Sequence, residues 1–148
     1  MSIFNQINDD IKQAMRAKEK EKLEALRAVK SAFLLAKTET GTDEIPEEKE
    51  IQIIQKLVKQ RRESASIYTE QNRAELAQKE SDEADIIAAY LPAQMSAEEV
   101  EAVIVEIIAK VGATSTADMG KVMGMASKQL AGKAEGKIIA QIVRGKLA

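Results

Sequence analysis

Apolar positions recur at three- and four-residue intervals through most of this chain, the spacing of one face of a helix. Phe4, Ile7, Ile11 and Met15 form the first such set, behind Ser2, a good N-cap residue. A charged run from Arg16 to Lys22 follows. The next set (Leu23, Leu26, Val29 and Phe33) is out of phase with the first, so a break is expected near Lys18–Lys20. The second helix is expected to end near Thr38, before a loop over Thr40–Ile45. Pro46 suits a helix start, and Glu47 and Glu48 lie where the helix dipole favours acids. Ile51, Ile54, Val58, Ala65 and Tyr68 then give the third helix a long stripe. A fourth helix is expected from about Asn72–Ala74 to Tyr90, with the small apolar face Ala77, Ala84, Ala88 and Leu91.

Tyr90-Leu91-Pro92 ends that helix, because proline disfavours α geometry at the residue before it. Ser96-Ala97-Glu98-Glu99 reads as a capping box. It opens a fifth helix lined by Val100, Val103, Ile104, Ile107 and Val111, with Gly112 just past its end. Ser115 or Thr116 caps a sixth, with Met119, Val122, Met123, Ala126 and Leu130 inward and Gly132 at its close. Ile138, Ile139, Ile142, Val143 and Leu147 define a seventh. No convincing strand-like alternation interrupts them, and no internal repeat is visible. The expected fold is all-α. A helical N-terminal domain of about four helices, including a long helical hairpin, occupies residues 1–92. A small three-helix bundle occupies 93–148. A hinge is expected near Pro92, where one short connector joins two cores.

Composition narrows the chemistry. The 148 residues are 45% hydrophobic and 31% charged, a globular balance. Cysteine and histidine are both absent, which removes thiolate zinc sites, disulfides, the commonest general base and the commonest metal ligand. No cofactor and no metal are expected. No apolar run approaches a membrane span, and the start of the chain lacks a basic segment leading into an apolar one. A cytoplasmic location is therefore expected.

The overall charge of −2 excludes a globally basic nucleic-acid binder, but the charge is unevenly spread. Residues 1–92 carry 15 basic and 18 acidic side chains. Residues 112–148 carry six basic (Lys121, Lys128, Lys133, Lys137, Arg144 and Lys146) against Asp118 and Glu135. Lysines so placed would hold a nucleic-acid backbone by charge and counterion release. They lack the interleaved aromatics that stack single-stranded bases, which favours a folded RNA. The competing reading is a solvated helical face. A second basic patch, Lys56, Lys59, Arg61 and Arg62, has acids at Glu80, Asp82, Glu83 and Asp85 on the following helix to neutralise it. A ladder of pairs across a hairpin is weighed slightly above a phosphate-facing strip.

Catalytic constellations are thin. A serine–lysine pair remains as a nucleophile and base, but the Gly/Ser-rich segment of amidases using it is missing. The paired acids Asp9-Asp10, Glu47-Glu48 and Glu98-Glu99 sit near helix starts, where acids are expected anyway. No phosphate-binding glycine motif is found. Gly120 and Gly124 lie inside the sixth helix, where each glycine costs about 1 kcal/mol relative to alanine. Tight packing within the bundle is the favoured explanation, ahead of close approach by a ligand.

The chain resembles the GatB/YqeY family, and free-standing YqeY-like proteins in particular. The marks are Leu23-x-x-Leu26-Arg27-x-x-Lys30-Ser31-Ala32, Val58-Lys59-Gln60-Arg61-Arg62-Glu63-Ser64, Asn72-Arg73-x-Glu75-Leu76-Ala77-x-x-Glu80 and Tyr90-Leu91-Pro92. Asp118-Met119-Gly120-Lys121-Val122-Met123, Gly132-Lys133-Ala134-Glu135-Gly136-Lys137 and Ile142-Val143 complete the series. The resemblance implies kinship with the tail domain of the B subunit of tRNA-dependent amidotransferases, which contributes to tRNA binding. The magnesium, ATP and glutamine sites of the full enzyme have no counterpart here. Gly120, Lys121, Gly132 and Lys137 match the family's glycine-rich pattern; with Lys128, Lys133 and Arg144 they are the candidate RNA-binding set. The expected partner is tRNA or a tRNA-processing enzyme, served by a non-catalytic accessory protein. One alternative is a component of a glutamine-dependent amidotransferase, a carbon–nitrogen ligase with glutamine as amido-N donor. The other is a protein–protein interaction module without RNA.

Overall fold

A computed structural model describes residues 2–148. Among the described residues there are seven α-helices and no strand: α1 (Ile3–Ala17), α2 (Lys20–Thr40), α3 (Glu47–Glu70), α4 (Ala74–Ala88), α5 (Ala97–Val111), α6 (Met119–Gln129) and α7 (Gly136–Leu147). A single 3-10 turn over Thr116–Asp118, capped by Ser115, leads into α6. The chain divides into two compact units, Met1–Leu91 and Pro92–Ala148.

In the first unit Ser2 accepts the Asn5 N–H and starts α1. The break after α1 is sharp. Lys18 takes the left-handed conformation (φ 59°), so that its own N–H and that of Glu19 reach the carbonyls of Met15 and Ala14. Pro46 precedes α3, with Glu47, Glu48 and Glu50 in its first turn. α2 runs two residues past its expected end, to Thr40, with Gly41 left-handed behind it, and α4 stops at Ala88 rather than Tyr90.

The core of this unit gathers Ile3, Ile7 and Ile11 of α1, Leu26, Val29 and Phe33 of α2, Ile54 of α3 and Ile87 of α4. The inward faces of α1 and α4 differ from those expected. Met15 is 54% exposed, and the inward face of α1 ends on Ala14. On α4 the buried set is Ala77, Glu83, Ala84 and Ile87, so Ile87 supplies bulk that the small-residue face omits. The Phe4 and Phe33 rings meet edge to face with centroids 6.0 Å apart, and the Lys37 ammonium sits 3.5 Å above the centre of Phe4. The Tyr90 hydroxyl donates to Asp10, tying the end of the unit back to α1. Burial, and then the neighbouring carboxylate, raise the Tyr90 phenol above its ordinary value, so it remains a donor at physiological pH.

In the second unit the capping box of α5 is complete: Ser96 accepts the Glu99 N–H, and Glu99 accepts the Ser96 N–H. Gly112 ends α5 at φ 68°, a conformation open to glycine without strain. Val100, Ile104, Ile107, Val122, Ala126, Leu130, Ile139, Val143 and Leu147 form the core. Ile138, expected inward, is 40% exposed; the inward face of α7 runs Ile139, Val143, Leu147. Gly132 lies three residues beyond α6, left-handed at φ 77° in the turn that leads to α7.

Candidate nucleic-acid interface

Helix geometry decides where the candidate cations stand. Val122 and Ala126 point α6 inward. Lys121 and Lys128 are seven residues apart, two turns or about 10 Å along the axis, and share one outward edge. On α7, Lys137 and Arg144 repeat the same seven-residue interval, opposite the buried Ile139 and Val143. Lys133 lies in the turn between these helices. All five side chains are exposed, and among the described residues none of them forms an ion pair. Lys146 differs: its ammonium is 2.6 Å from the Glu101 carboxylate on α5.

The two acids of this region do not neutralise the set. Asp118 accepts the Thr114 N–H at 3.0 Å, bracing the 3-10 turn. Glu135 occupies the N-cap position of α7 but makes no side-chain capping bond. The leading N–H groups of α7, those of Gly136, Lys137 and Ile138, form the positive end of its dipole, close in the chain to Lys133 and Lys137. The remaining acids of the unit (Glu98, Glu99, Glu101 and Glu106) are on α5, so acid and base are segregated between helices.

The expectation that Gly120 and Gly124 serve packing is overturned. Both face away from Val122 and Ala126, and a Cβ placed on either would meet nothing within 4 Å outside its own helix. Neither has a positive φ. The fold therefore gives no reason for glycine at these two positions, which adjoin the Lys121–Lys128 edge.

The second basic patch is divided. Arg61 reaches Glu83 at 3.3 Å with both side chains largely buried, and Arg62 reaches Asp85 at 2.7 Å on the surface. These are the cross-hairpin pairs of α3 and α4. Lys56 and Lys59 are exposed and form no ion pair among the described residues. An open groove beside this patch is lined by neutral side chains such as Ser66, Thr69, Gln78 and Ser81, together with the engaged Arg62. No group of three acids is placed to hold a metal ion among the described residues, and none of their helices is long and apolar enough to cross a membrane.

Two acids are buried, Glu50 and Glu83; the pairing of Glu83 with the basic patch is expected from the sequence, but its burial is not. Glu83 reads in the sequence only as one of several acids on the fourth helix. Its neighbour Ala84 faces inward, a hint that Glu83 stands at the edge of the core. Nothing local marks Glu50, whose partner is 46 residues away.

This arrangement defines an all-α protein of two helical units, the second of which concentrates unpaired cations on adjoining helices. The family model for YqeY-like proteins matches residues 4–147, and the chain belongs to that family. Among curated proteins there is no significant match.

Proposed function

We propose that the chain is a non-catalytic RNA-binding accessory protein whose α6–α7 surface holds the phosphate backbone of a folded RNA, with tRNA the first candidate. The observation that carries this reading is the set Lys121, Lys128, Lys133, Lys137 and Arg144: five exposed, unpaired cations on two neighbouring helices and the turn joining them. The resemblance of the sequence to the GatB/YqeY family, with the kinship it implies to the tail of the amidotransferase B subunit, supports tRNA as the partner. Lysine provides point charge rather than base readout, and no aromatic side chain lies in the second unit, so shape and phosphate contacts fit better than base stacking.

The direct test is titration of the full chain against a folded tRNA and an unstructured single strand across a range of salt. Five phosphate contacts predict a slope of log K against log salt of about −4.5, with the folded RNA preferred. No measurable binding at low salt would remove the proposal. Amide formation from mischarged tRNA, ATP and glutamine by the chain alone would favour the amidotransferase alternative. Ribonuclease-resistant capture of a protein partner would favour the interaction module.

Gly120 and Gly124 add a second prediction that separates binding from folding. Alanine at both positions relieves the helix penalty, so Gly120→Ala/Gly124→Ala should gain stability by up to about 1 kcal/mol per site, less at Gly120 in the first turn. If the glycines keep the surface low beside Lys121 and Lys128, the stabilised variant should bind RNA more weakly. A gain in melting temperature with undiminished affinity would leave these glycines outside the interface.

A further inference from the structure

The turn that carries Lys133 is held from elsewhere in the second unit. Gln94 lies just before α5, and its side-chain amide donates to the carbonyl of Gly132 at 2.6 Å and to that of Pro92 at 2.9 Å. One residue on, the Met95 N–H donates to the Lys133 carbonyl at 2.9 Å. Met95 itself packs against the core. Both protons of the Gln94 amide are thus used, and two successive carbonyls of the turn are satisfied by a segment about 38 positions away. The Lys133 N–H returns to Leu130, Ala134 is buried, and Gly132 adopts φ 77°. The backbone from Leu130 to Ala134 is fixed on its inner side while the Lys133 side chain remains outside.

We infer that Gln94 is a positioning residue, a clasp that holds the Gly132–Lys133 turn in the conformation presenting Lys133 beside the start of α7. The inference rests on the RNA-binding reading of the α6–α7 surface. It adds a neutral residue, on a different segment, that the set of cations does not contain. Held in place, the turn loses little freedom when it meets a phosphate; released, it must be ordered at the expense of affinity. Gln94 is exposed, so its removal opens no cavity.

The test uses two full-length variants: Gln94→Ala, and Gln94→Met, which keeps the length without the donors. In the free protein, the Met95 and Lys133 amides should exchange roughly tenfold faster in both, while the Ile104 amide in α5 keeps its wild-type rate. Affinity for the folded tRNA should fall by roughly three- to tenfold, with the salt slope unchanged because no charge is removed. Wild-type exchange at Met95 and Lys133 in both variants overturns the clasp. Faster exchange with unaltered affinity overturns its positioning role. A wild-type chain that binds no RNA fails the functional reading instead, and amide exchange alone then decides whether Gln94 holds the turn.

Discussion

The triple variant Lys121→Glu/Lys133→Glu/Lys137→Glu is expected to bind folded tRNA two to three orders of magnitude more weakly than wild type at about 0.1 M salt. Each neutralised phosphate contributes about 0.9 to the slope of log K against log salt, and so about 0.9 decades of affinity between 1 M and 0.1 M. Giving up three of these phosphates lowers the slope by about 2.7, and the reversed charges add repulsion. The fold should be indifferent, because all three side chains are exposed and unpaired. Two controls sharpen the result. Lys146→Glu places like charges together at Glu101, a stability effect, and should leave the slope nearly unchanged, since Lys146 is already engaged. Lys56→Glu/Lys59→Glu asks whether the unpaired half of the α3 patch takes part. Equal slopes for wild type and the triple variant would show that these lysines are only a solvated face.

Most helix boundaries are legible because their signals are local, although α2 and α4 each end two residues from where the sequence puts them. Ser2, Pro46, Ser96 with Glu99, and Gly112 each act within one turn of themselves, and each does what its residue type predicts. The faces were less legible. Phe4/Ile7/Ile11/Met15 and Ile3/Ile7/Ile11/Ala14 are two readings of one helix rotated slightly at its ends, and only the packing partner decides between them. A large side chain at the edge of a stripe, such as Met15 or Ile138, yields to a neighbour nearer the axis of packing.

For the candidate interface, the lysine positions were visible, but not which of them are free. The engagement of Lys146 by Glu101 spans 45 positions, and the Gln94–Gly132 bond spans 38. The two glycines show the same division. Their cost within a helix is a local property, whereas the open space beside them is a property of the assembled unit. A sequence reading therefore attributes them to packing by default, and the fold removes that attribution.

Glu50 carries the largest expected effect on stability. The residue is 2% exposed, and its carboxylate accepts the Phe4 N–H at 2.8 Å, one of the unpaired donors in the first turn of α1. Glu50 also stands in the first turn of α3, so the positive ends of two helices meet at one buried acid. Replacing a buried polar pair by apolar groups is often neutral, but only when both partners go. Here the Phe4 amide is backbone and stays. Glu50→Ala therefore leaves an N–H without an acceptor, removes a charge favoured by both dipoles and opens a small cavity. The expected loss is about 3 kcal/mol, a large part of the stability of a domain this size. Glu50→Gln retains an acceptor oxygen without the charge and should lose about half as much. Urea unfolding, followed by amide exchange at Phe4 and within α1, measures both. An alanine variant within about 0.5 kcal/mol of wild type would mean that water or a shifted backbone satisfies Phe4, and that α1 does not depend on Glu50.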